Sequence, residues 1–504
     1  MTRTTGTERR RNRLRAAAGT GLAGAQRSWP ELLLTALLIV LAVPAALLVA
    51  PGFLGPEPPA PLPPPPAWHQ APAALASPQR PEVLAGTVAV PLQPAVTAQL
   101  DPLLKADGGG NFTGLVQDAL TGQVLFDRAG SEGRVPASNM KLLTAFAALR
   151  SLGPDHRFAT SVVAGPAPGQ VVLVGGGDVL LGPGASDGEQ VLGHAGLATL
   201  AAQTVAALQS AGTQGELTVL VDDSLFTGPP LNPAWEAGDV AAGEVAPLFP
   251  LALNSARFDS AVTAGPRPQD SAITVAEEFA AQLRTAGAAA GLTVASGVGR
   301  SPGPAAAGPE GEGEPALLAE AHSATVAEQV NLMLRESDNY LAEALGRMTA
   351  LAVGQPASNA GATAAVLDQL AAAGIPTDGM ALVDVCGLAM GNKVSARQVA
   401  EVVRAMTSGA DTRLRAALDG FPIAGLTGTL DTRYGDDSTV RGAGLVRAKT
   451  GTLNTVLALS GYVVDADGRL LVFSFIGNGL TPGATGNRDA LDRAAAALAA
   501  CGCR

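Results

Sequence analysis

Ser138 and Lys141 have the types and the spacing of a catalytic nucleophile and its base. The residues that follow, 142–149, are mostly apolar and include no Gly or Pro, and Pro136 and Ser138 favour a helix start. This pattern predicts a buried helix beginning near residues 136–138. Two residues three apart on a helix lie on one face. A lysine kept neutral by burial or by a nearby cation can take the proton of a serine hydroxyl, which makes that oxygen a nucleophile.

A single Ser-x-x-Lys motif is more often a helix cap followed by a surface lysine. The lysine content argues against that interpretation, because the chain has 33 Lys and Arg residues of which only four are lysines. The four are Lys105, Lys141, Lys393 and Lys449. Two of them fall within motifs that could act on one substrate.

Two further motifs follow Ser-x-x-Lys along the chain. A Ser-x-Asn motif at residues 337–339 lies between helices predicted at about 325–334 and 340–345. A Lys-Thr-Gly-Thr motif at residues 449–452 lies on a strand predicted near the C-terminus. The set of Ser-x-x-Lys, Ser-x-Asn and Lys-Thr-Gly is typical of class A β-lactamases and penicillin-binding proteins, and the chain resembles that group.

The resemblance and the chemistry of the side chains give each residue an expected role. Ser138 forms the acyl-enzyme, and Lys141 is the base, with a pKa lowered by a second cation such as Lys449. Ser337 relays a proton to the leaving amine. Asn339 holds a substrate amide, because its side chain both donates and accepts hydrogen bonds.

The strand motif supplies the remaining contacts with the substrate. Lys449 and Thr450 offer a charge and a hydroxyl to a terminal carboxylate. Gly451 lets the substrate backbone approach the strand. The backbone N–H groups of Thr452 and Ser138 are candidates for the oxyanion hole.

The number of residues between the motifs indicates which type of penicillin-binding protein the chain resembles. Lys141 and Ser337 are 196 positions apart, far more than a compact β-lactamase-like domain uses, so we expect inserted domains between about 165 and 310. The chain therefore resembles class C low-molecular-mass penicillin-binding proteins, the penicillin-binding protein 4 type of D-alanyl-D-alanine carboxypeptidase and endopeptidase. Further motifs shared with this type lie at residues 136–141, 176–178, 221–226, 427–430 and 447–452.

The resemblance implies a fold, a substrate and an inhibitor. The expected fold class is α/β (α+β), with an antiparallel sheet flanked by helices and interrupted by smaller inserted domains. The implied substrate is a peptidoglycan peptide ending in D-Ala-D-Ala, hydrolysed in the cell wall, and penicillin is the implied covalent inhibitor.

The sequence departs from the family pattern at two positions. The family often has Asp-x-Ser-Gly-Leu-Ser, whereas residues 384–389 place Cys386 and Ala389 where hydroxyls would stand. Val179 follows Asp178 where proline is usual. We interpret Cys386 as structural, because no histidine is near it in the sequence.

Two alternatives remain open at this point. A β-lactamase of class A needs a glutamate for deacylation, but Glu343 and Glu401 are the only glutamates between Tyr340 and Ala448, and both lie on predicted helices. The other alternative is a non-catalytic cell-wall binding or scaffold protein of the same fold. Two Gly-x-Ser-x-Gly matches, at 184–188 and 299–303, lie in loop-rich sequence and are assigned to turns.

The N-terminal region predicts a membrane anchor. Residues 32–50 carry no charge, and at about 1.5 Å per residue they could cross a bilayer core. Seven arginines precede them, which predicts a cytoplasmic N-terminus and an extracytoplasmic, envelope location for the rest. A cleaved signal peptide is the alternative. The expected regions are a basic tail at 1–31, the anchor or signal segment at 32–50, a Pro-rich linker at 51–82, a catalytic domain at 83–165 and 310–504, and inserted domains at 166–309.

Composition excludes several other functions. The net charge is −11, and residues 1–30 carry seven arginines against one acid, so the remaining body has a charge of −17, which argues against nucleic-acid binding. The four histidines are scattered and the three cysteines lack zinc-site spacing, so we expect no metal or other cofactor. Cys501 and Cys503 could pair with Cys386 or remain free.

Overall fold

A computed structural model describes residues 88–262, 265–302 and 315–503. These residues belong to one compact unit, Pro81–Arg504. The predicted tail, anchor and linker, at 1–31, 32–50 and 51–82, lie outside the described residues. Within the described part of the chain, no helix has the length and apolar character needed to span a membrane.

The described helices are named in chain order. They are α1 (Gln93–Leu100), α2 (Met140–Ser151), α3 (Leu197–Ser210), α4 (Ala237–Ala242), α5 (Ser271–Gly287), α6 (Val326–Glu336), α7 (Asn339–Ala352), α8 (Asn359–Ala372), α9 (Ala396–Ser408) and α10 (Thr485–Ala499). Short 3₁₀ segments occur at Ala137–Asn139, Ala288–Ala290, Thr412–Gly420, Gly428–Leu430 and Val440–Gly442.

The described strands form three sheets. They are β1 (Asn111–Asp118), β2 (Val124–Arg128), β3 (Gly133–Arg134), β4 (Ala159–Ala164), β5 (Gln170–Val174), β6 (Gly215–Asp222), β7 (Leu292–Arg300), β8 (Leu317–His322), β9 (Val394–Ser395), β10 (Arg447–Leu453), β11 (Val456–Val464) and β12 (Leu470–Asn478). The sheet orders are β10-β11-β12-β1-β2, β3-β9 and β7-β6-β5-β4-β8.

The first sheet is antiparallel and has a hydrophobic core on each face. Alternate side chains of a strand point to opposite faces, so Val472 packs into the core that contains α2 and α9, while Phe473 packs against α1 and α10. Strand β12 is therefore buried on both sides and is apolar along most of its length. This sheet places β10 at its edge, beside the segment that precedes α2.

The second sheet is mixed, and three of its five strands lie in the segment predicted as an insertion, 166–309, hereafter the insertion. Strands β5, β6 and β7 are parallel, and each crossover contains a helix, α3 or α5, that packs on the sheet. Strand β4 pairs antiparallel with β5 and with β8. Strands β4 and β8 lie just outside the predicted bounds of the insertion, 166–309, because the chain enters and leaves this sheet through them.

The apolar stretches at 446–464 and 470–476, separated by a turn at 465–468, predict a C-terminal hairpin of two strands, whereas the structure has three strands there. The sequence suggests one strand from 446 to 464, but a reversal at residues 454–455 divides it into β10 and β11, which pair with each other. The Asp465 turn then leads into β12 as predicted. The sequence gives no strong turn signal at the reversal, because Asn454 and Thr455 are neither glycine nor proline and are flanked by Leu453 and Val456.

Candidate active site

Ser138 lies in a 3₁₀ turn that leads directly into α2. Residues 140–149 of this helix are all buried, because the helix is packed among α7, α8 and α9. Ala137, just before the serine, has a φ of 46°, in the left-handed region that a residue with a side chain rarely adopts. The turn therefore presents Ser138 at the N-terminal end of a rigid core helix.

Lys141 lies one turn after Ser138 and is completely buried. Its Nζ donates to Ser138 Oγ at 3.0 Å, to Asn339 Oδ1 at 2.6 Å and to the Cys386 carbonyl at 2.7 Å. Burial lowers the pKa of Lys141 from its ordinary value, because a buried ammonium loses its hydration. The predicted Ser-x-x-Lys pair is thus in direct contact.

Ser337 and Lys449 form a second serine–lysine pair. Lys449 Nζ donates to Ser337 Oγ at 2.9 Å and to the Thr450 carbonyl at 3.0 Å. Burial, together with the charge of Lys141, lowers the pKa of Lys449 well below its ordinary value. Ser337 ends α6 with a φ of 59°, so this serine also occupies the left-handed region.

Asn339 links the first pair to the insertion. Its Oδ1 accepts from Lys141, and its Nδ2 donates to the Glu244 carbonyl at 3.0 Å. The sequence predicts that Asn339 holds a substrate amide with its donor and its acceptor. In the structure the protein engages both groups, which leaves one N–H of Nδ2 for a substrate carbonyl.

The strand motif lies on β10. Thr450 Oγ1 donates to Thr429 Oγ1 at 2.8 Å. A Cβ at Gly451 would lie 3.0 Å from the Pro136 carbonyl oxygen and 3.0 Å from Ala137 Cβ. Gly451 therefore allows close approach of the turn that carries the nucleophile, whereas the sequence suggests close approach of a substrate.

A cleft of about 1390 Å³ connects these residues. Its lining includes the predicted residues Ser138, Ser337, Asn339, Thr450 and Thr452. It also includes charged residues of the insertion, which are Glu236, Asp239, Glu244, Arg257 and Arg267. The insertion consequently forms part of the wall of the cleft.

Asp338 connects the Ser-x-Asn motif to the insertion through its side chain. Oδ1 accepts from the backbone N–H of Leu341, and Oδ2 accepts from Arg257 Nη1 at 3.0 Å. Burial alone would raise the pKa of Asp338, but the charges of Arg257 and Arg267 outweigh it and lower this pKa. Sequence reasoning missed both arginines, since neither belongs to a motif.

A buried loop supports Lys141 from the other side. Glu343 Oε1 accepts from the backbone N–H groups of Val385 and Cys386, at 2.9 and 2.8 Å, so it fixes the residue whose carbonyl contacts the lysine. Asp384 accepts from the backbone of Gly387 and from several neighbours within the loop. Burial, then the charge of Asp384, raises the pKa of Glu343 to about 7.

Cys386 is free and buried within this loop. Its thiol donates to Asp384 Oδ2, and burial raises the pKa of the thiol well above its ordinary value, so it stays protonated. The other two cysteines, Cys501 and Cys503, form a disulfide, which answers the pairing that the sequence left open.

Glu343, Asp384 and Cys386 bring three potential metal-ligand atoms within 4.8 Å of one another. The carboxylate oxygens already accept hydrogen bonds from backbone N–H groups, as described above. The chemistry of this cluster therefore fits a hydrogen-bonded support for the loop and not a ligand set for an ion.

An antiparallel sheet with a nucleophilic serine and lysine at the head of a core helix defines the penicillin-recognising serine hydrolases. The chain belongs to the D-Ala-D-Ala carboxypeptidase 3 (S13) family, whose sequence profile matches residues 96–283 and 266–499. This membership confirms the predicted resemblance and the predicted enzyme class, a D-alanyl-D-alanine carboxypeptidase.

Relatives and a solved structure agree with this assignment. A carboxypeptidase of Mycobacterium tuberculosis is 36% identical over 83% of this chain and 87% of its own length. Carboxypeptidase DacB of Mycolicibacterium smegmatis is 37% identical over 78% of this chain and 81% of its own. Penicillin-binding protein 4 of Haemophilus influenzae has the same fold, with a TM-score of 0.62 and 20% identity over 80% of this chain and 99% of that chain. The predicted fold class is confirmed.

Proposed function

We propose that the enzyme cleaves the D-Ala-D-Ala bond of peptidoglycan stem peptides through an acyl-enzyme on Ser138. The observation that carries this proposal is the set of three contacts around Lys141 Nζ, with Ser138 Oγ, Asn339 Oδ1 and the Cys386 carbonyl. A neutral lysine has two N–H donors and one lone pair. The Asn339 and Cys386 oxygens can only accept hydrogen bonds, so they take the two N–H donors of Lys141 and its lone pair faces the Ser138 hydroxyl.

This arrangement makes Lys141 the general base for acylation. Its nitrogen takes the proton as Ser138 Oγ bonds to the carbonyl carbon of the penultimate D-alanine. The lowered pKa of Lys141 increases the fraction of neutral amine at a given pH. The backbone N–H groups of Ser138 and Thr452 are the proposed donors to the oxyanion.

Ser337 and Lys449 serve the leaving group in this proposal. The proton taken by Lys141 reaches the departing amine through the Ser337 hydroxyl, the C–N bond breaks, and free D-alanine leaves. Thr450 and Thr452 on β10 line the cleft and offer hydroxyls to the carboxylate of the terminal D-alanine, while Lys449 is completely buried and acts through its contact with Ser337. Water then hydrolyses the ester on Ser138.

A β-lactam would acylate the same hydroxyl. One structure of penicillin-binding protein 4 from Haemophilus influenzae, with a TM-score of 0.52 to this chain, is a complex with a β-lactam. Rapid release of the drug by a class A type glutamate is disfavoured, because Glu343 is buried under the 385–386 loop and Glu401 pairs with Arg404 on α9. We therefore expect a stable acyl-enzyme.

An envelope location fits this substrate. We propose that residues 32–50 hold the enzyme at the outer face of the cytoplasmic membrane, on the basis of their uncharged sequence and the seven arginines before them. Fractionation of cells that produce the full chain and a chain lacking residues 1–50 tests this. Recovery of both proteins in the same soluble fraction would contradict the anchor.

A labelled penicillin tests the catalytic proposal. The wild type should carry one label, and Ser138→Ala should carry none. Ser186→Ala is the matched control, since Ser186 belongs to one of the two Gly-x-Ser-x-Gly sequences and its hydroxyl only accepts from the backbone N–H of Gly196. Label that persists in Ser138→Ala, or fast turnover of the drug, would contradict the proposal. Digestion of purified wall peptides then distinguishes release of D-alanine from cleavage of cross-links.

A further inference from the structure

The insertion reaches the catalytic lysine through one backbone carbonyl. The Glu244 carbonyl accepts from Asn339 Nδ2 at 3.0 Å, and Asn339 Oδ1 contacts Lys141 Nζ at 2.6 Å. Glu244 lies in the turn that follows α4, 95 positions before Asn339. An amide side chain has an acceptor at one end and donors at the other, so its orientation depends on the partner at each end.

Arg267 holds that turn in place. Its guanidinium Nε donates to the Gly243 carbonyl, and Nη1 donates to the Ser255 carbonyl at 2.6 Å. Only 6% of the residue is exposed. A planar guanidinium that donates to two carbonyls fixes their separation, and replacing it would leave two buried acceptors without a donor.

We propose that Arg267 is a positioning residue for acylation, because it holds the turn at 243–244 so that the Glu244 carbonyl orients Asn339 Oδ1 towards Lys141. This inference rests on the proposed role of Lys141 as the base. If the turn shifts, Asn339 is free to reverse its amide and place an N–H against the Lys141 amine. The lone pair of Lys141 would then accept a hydrogen bond from Asn339, so Lys141 could no longer accept the proton of Ser138.

The same turn offers a way to test the inference without altering a charge. Gly243 has a φ of +78°, and a Cβ there would lie 1.7 Å from the Gly265 carbonyl oxygen. Gly243→Ala must therefore displace the turn. Gly291 has a similar φ of +72° with open space around it, so Gly291→Ala is the matched control.

Arg267 also lines the cleft, so a direct contact with the substrate is the competing explanation. The two explanations differ in kinetics. Loss of a substrate contact raises KM, whereas misorientation of the base lowers kcat and leaves KM unchanged. A misplacement of about 1 Å at a catalytic group costs up to about 100-fold in rate.

The experiment compares Arg267→Gln and Gly243→Ala with the wild type in D-alanine release from a D-Ala-D-Ala peptide. We expect kcat to fall by about 10- to 100-fold in both variants, with KM within about twofold. Arg300→Gln is the matched arginine control, since Arg300 is more exposed and pairs with Asp223 and Asp270 in the same insertion. Its kcat should equal that of the wild type.

A double variant tests whether Arg267 acts through Asn339. Arg267→Gln should not slow Asn339→Ala further, because the amide that it orients is already absent. Three results would each overturn the inference. The first is that the effects of Arg267→Gln and Asn339→Ala on kcat multiply in the double variant, and the second is that KM alone rises. The third is an unchanged kcat in folded Gly243→Ala and Arg267→Gln. If Arg267→Gln does not fold, the kcat of Gly243→Ala tests the inference. A wild type without label on Ser138 would instead refute the proposed function.

Discussion

Lys141 and Asn339 are 198 positions apart in the sequence, yet 2.6 Å separates Nζ from Oδ1. The second sheet, with α3 and α5, lies within this interval of sequence. Because the Glu244 carbonyl accepts from the other end of the Asn339 amide, this side chain contacts both the insertion and Lys141. The insertion is therefore in direct contact with the candidate active site.

The first prediction concerns the ionisation of Lys141. A general base must be neutral, so the rate of acylation should rise with pH through the lysine pKa, which burial places below 10.5. Lys141→Arg keeps the charge but cannot lose its proton, and should acylate at least ~100-fold more slowly at every pH. Stopped-flow measurements with a fluorescent penicillin between about pH 5 and pH 10 check both statements. A Lys141→Arg variant that acylates as fast as the wild type would show that another group is the base.

The second prediction concerns the hydroxyl of Ser337. This residue has a φ of 59°, a conformation in which glycine is more stable than alanine. Ser337→Gly and Ser337→Ala both remove the proton relay, so each should lower kcat by about 100-fold. The glycine variant should have the higher Tm of the two. An active Ser337→Gly enzyme would mean that the backbone conformation matters at this position and the hydroxyl does not.

The third prediction concerns the pH dependence of stability at Glu343. Its pKa is raised from 4.5 to about 7 in the folded state, so the folded protein binds this proton more tightly than the unfolded chain does. The resulting stabilisation is fully present below about pH 4.5 and is lost as the pH rises through 7. Its full size is on the order of 3 kcal/mol.

Glu343→Gln isolates that contribution. The amide Oε1 can still accept from Val385 and Cys386, but it does not titrate. Chemical denaturation from pH 4 to pH 8 should show the wild type losing stability relative to Glu343→Gln as the pH increases. Parallel curves for the two proteins would contradict the raised pKa.

Local patterns in the sequence predicted the parts of the site that lie on one element. Ser138 and Lys141 lie one helical turn apart, and the helix predicted at about 325–334 corresponds to α6 (Val326–Glu336). These features depend on neighbours three or four positions away, and that signal is present in a single sequence.

Contacts between distant segments could not be predicted in the same way. Arg267, Glu244 and Trp235 support the site from the insertion, and none belongs to a recognisable motif. Trp235 Nε1, for example, donates to Asp384 Oδ2 across 149 positions. Such contacts depend on how two sheets pack, and the alternation of apolar residues within one strand contains no information about that packing.

The fourth prediction concerns the close contact between two loops at the nucleophile. A Cβ at Gly387 would lie 1.9 Å from the Ala137 carbonyl oxygen, one residue before Ser138, and Gly387 has a φ of +89°. Gly387→Ala should therefore displace the serine turn and lower acylation by about 100-fold.

Gly379→Ala is the matched control. Gly379 also has a positive φ, +75°, but no atom lies within 4 Å of the position that a Cβ would occupy there, so this variant has the backbone strain without the collision. We expect it to lose stability and keep its acylation rate per folded molecule, as measured with labelled penicillin after each variant's Tm is known. Equal acylation rates for the two variants would show that the contact between Gly387 and Ala137 does not position Ser138.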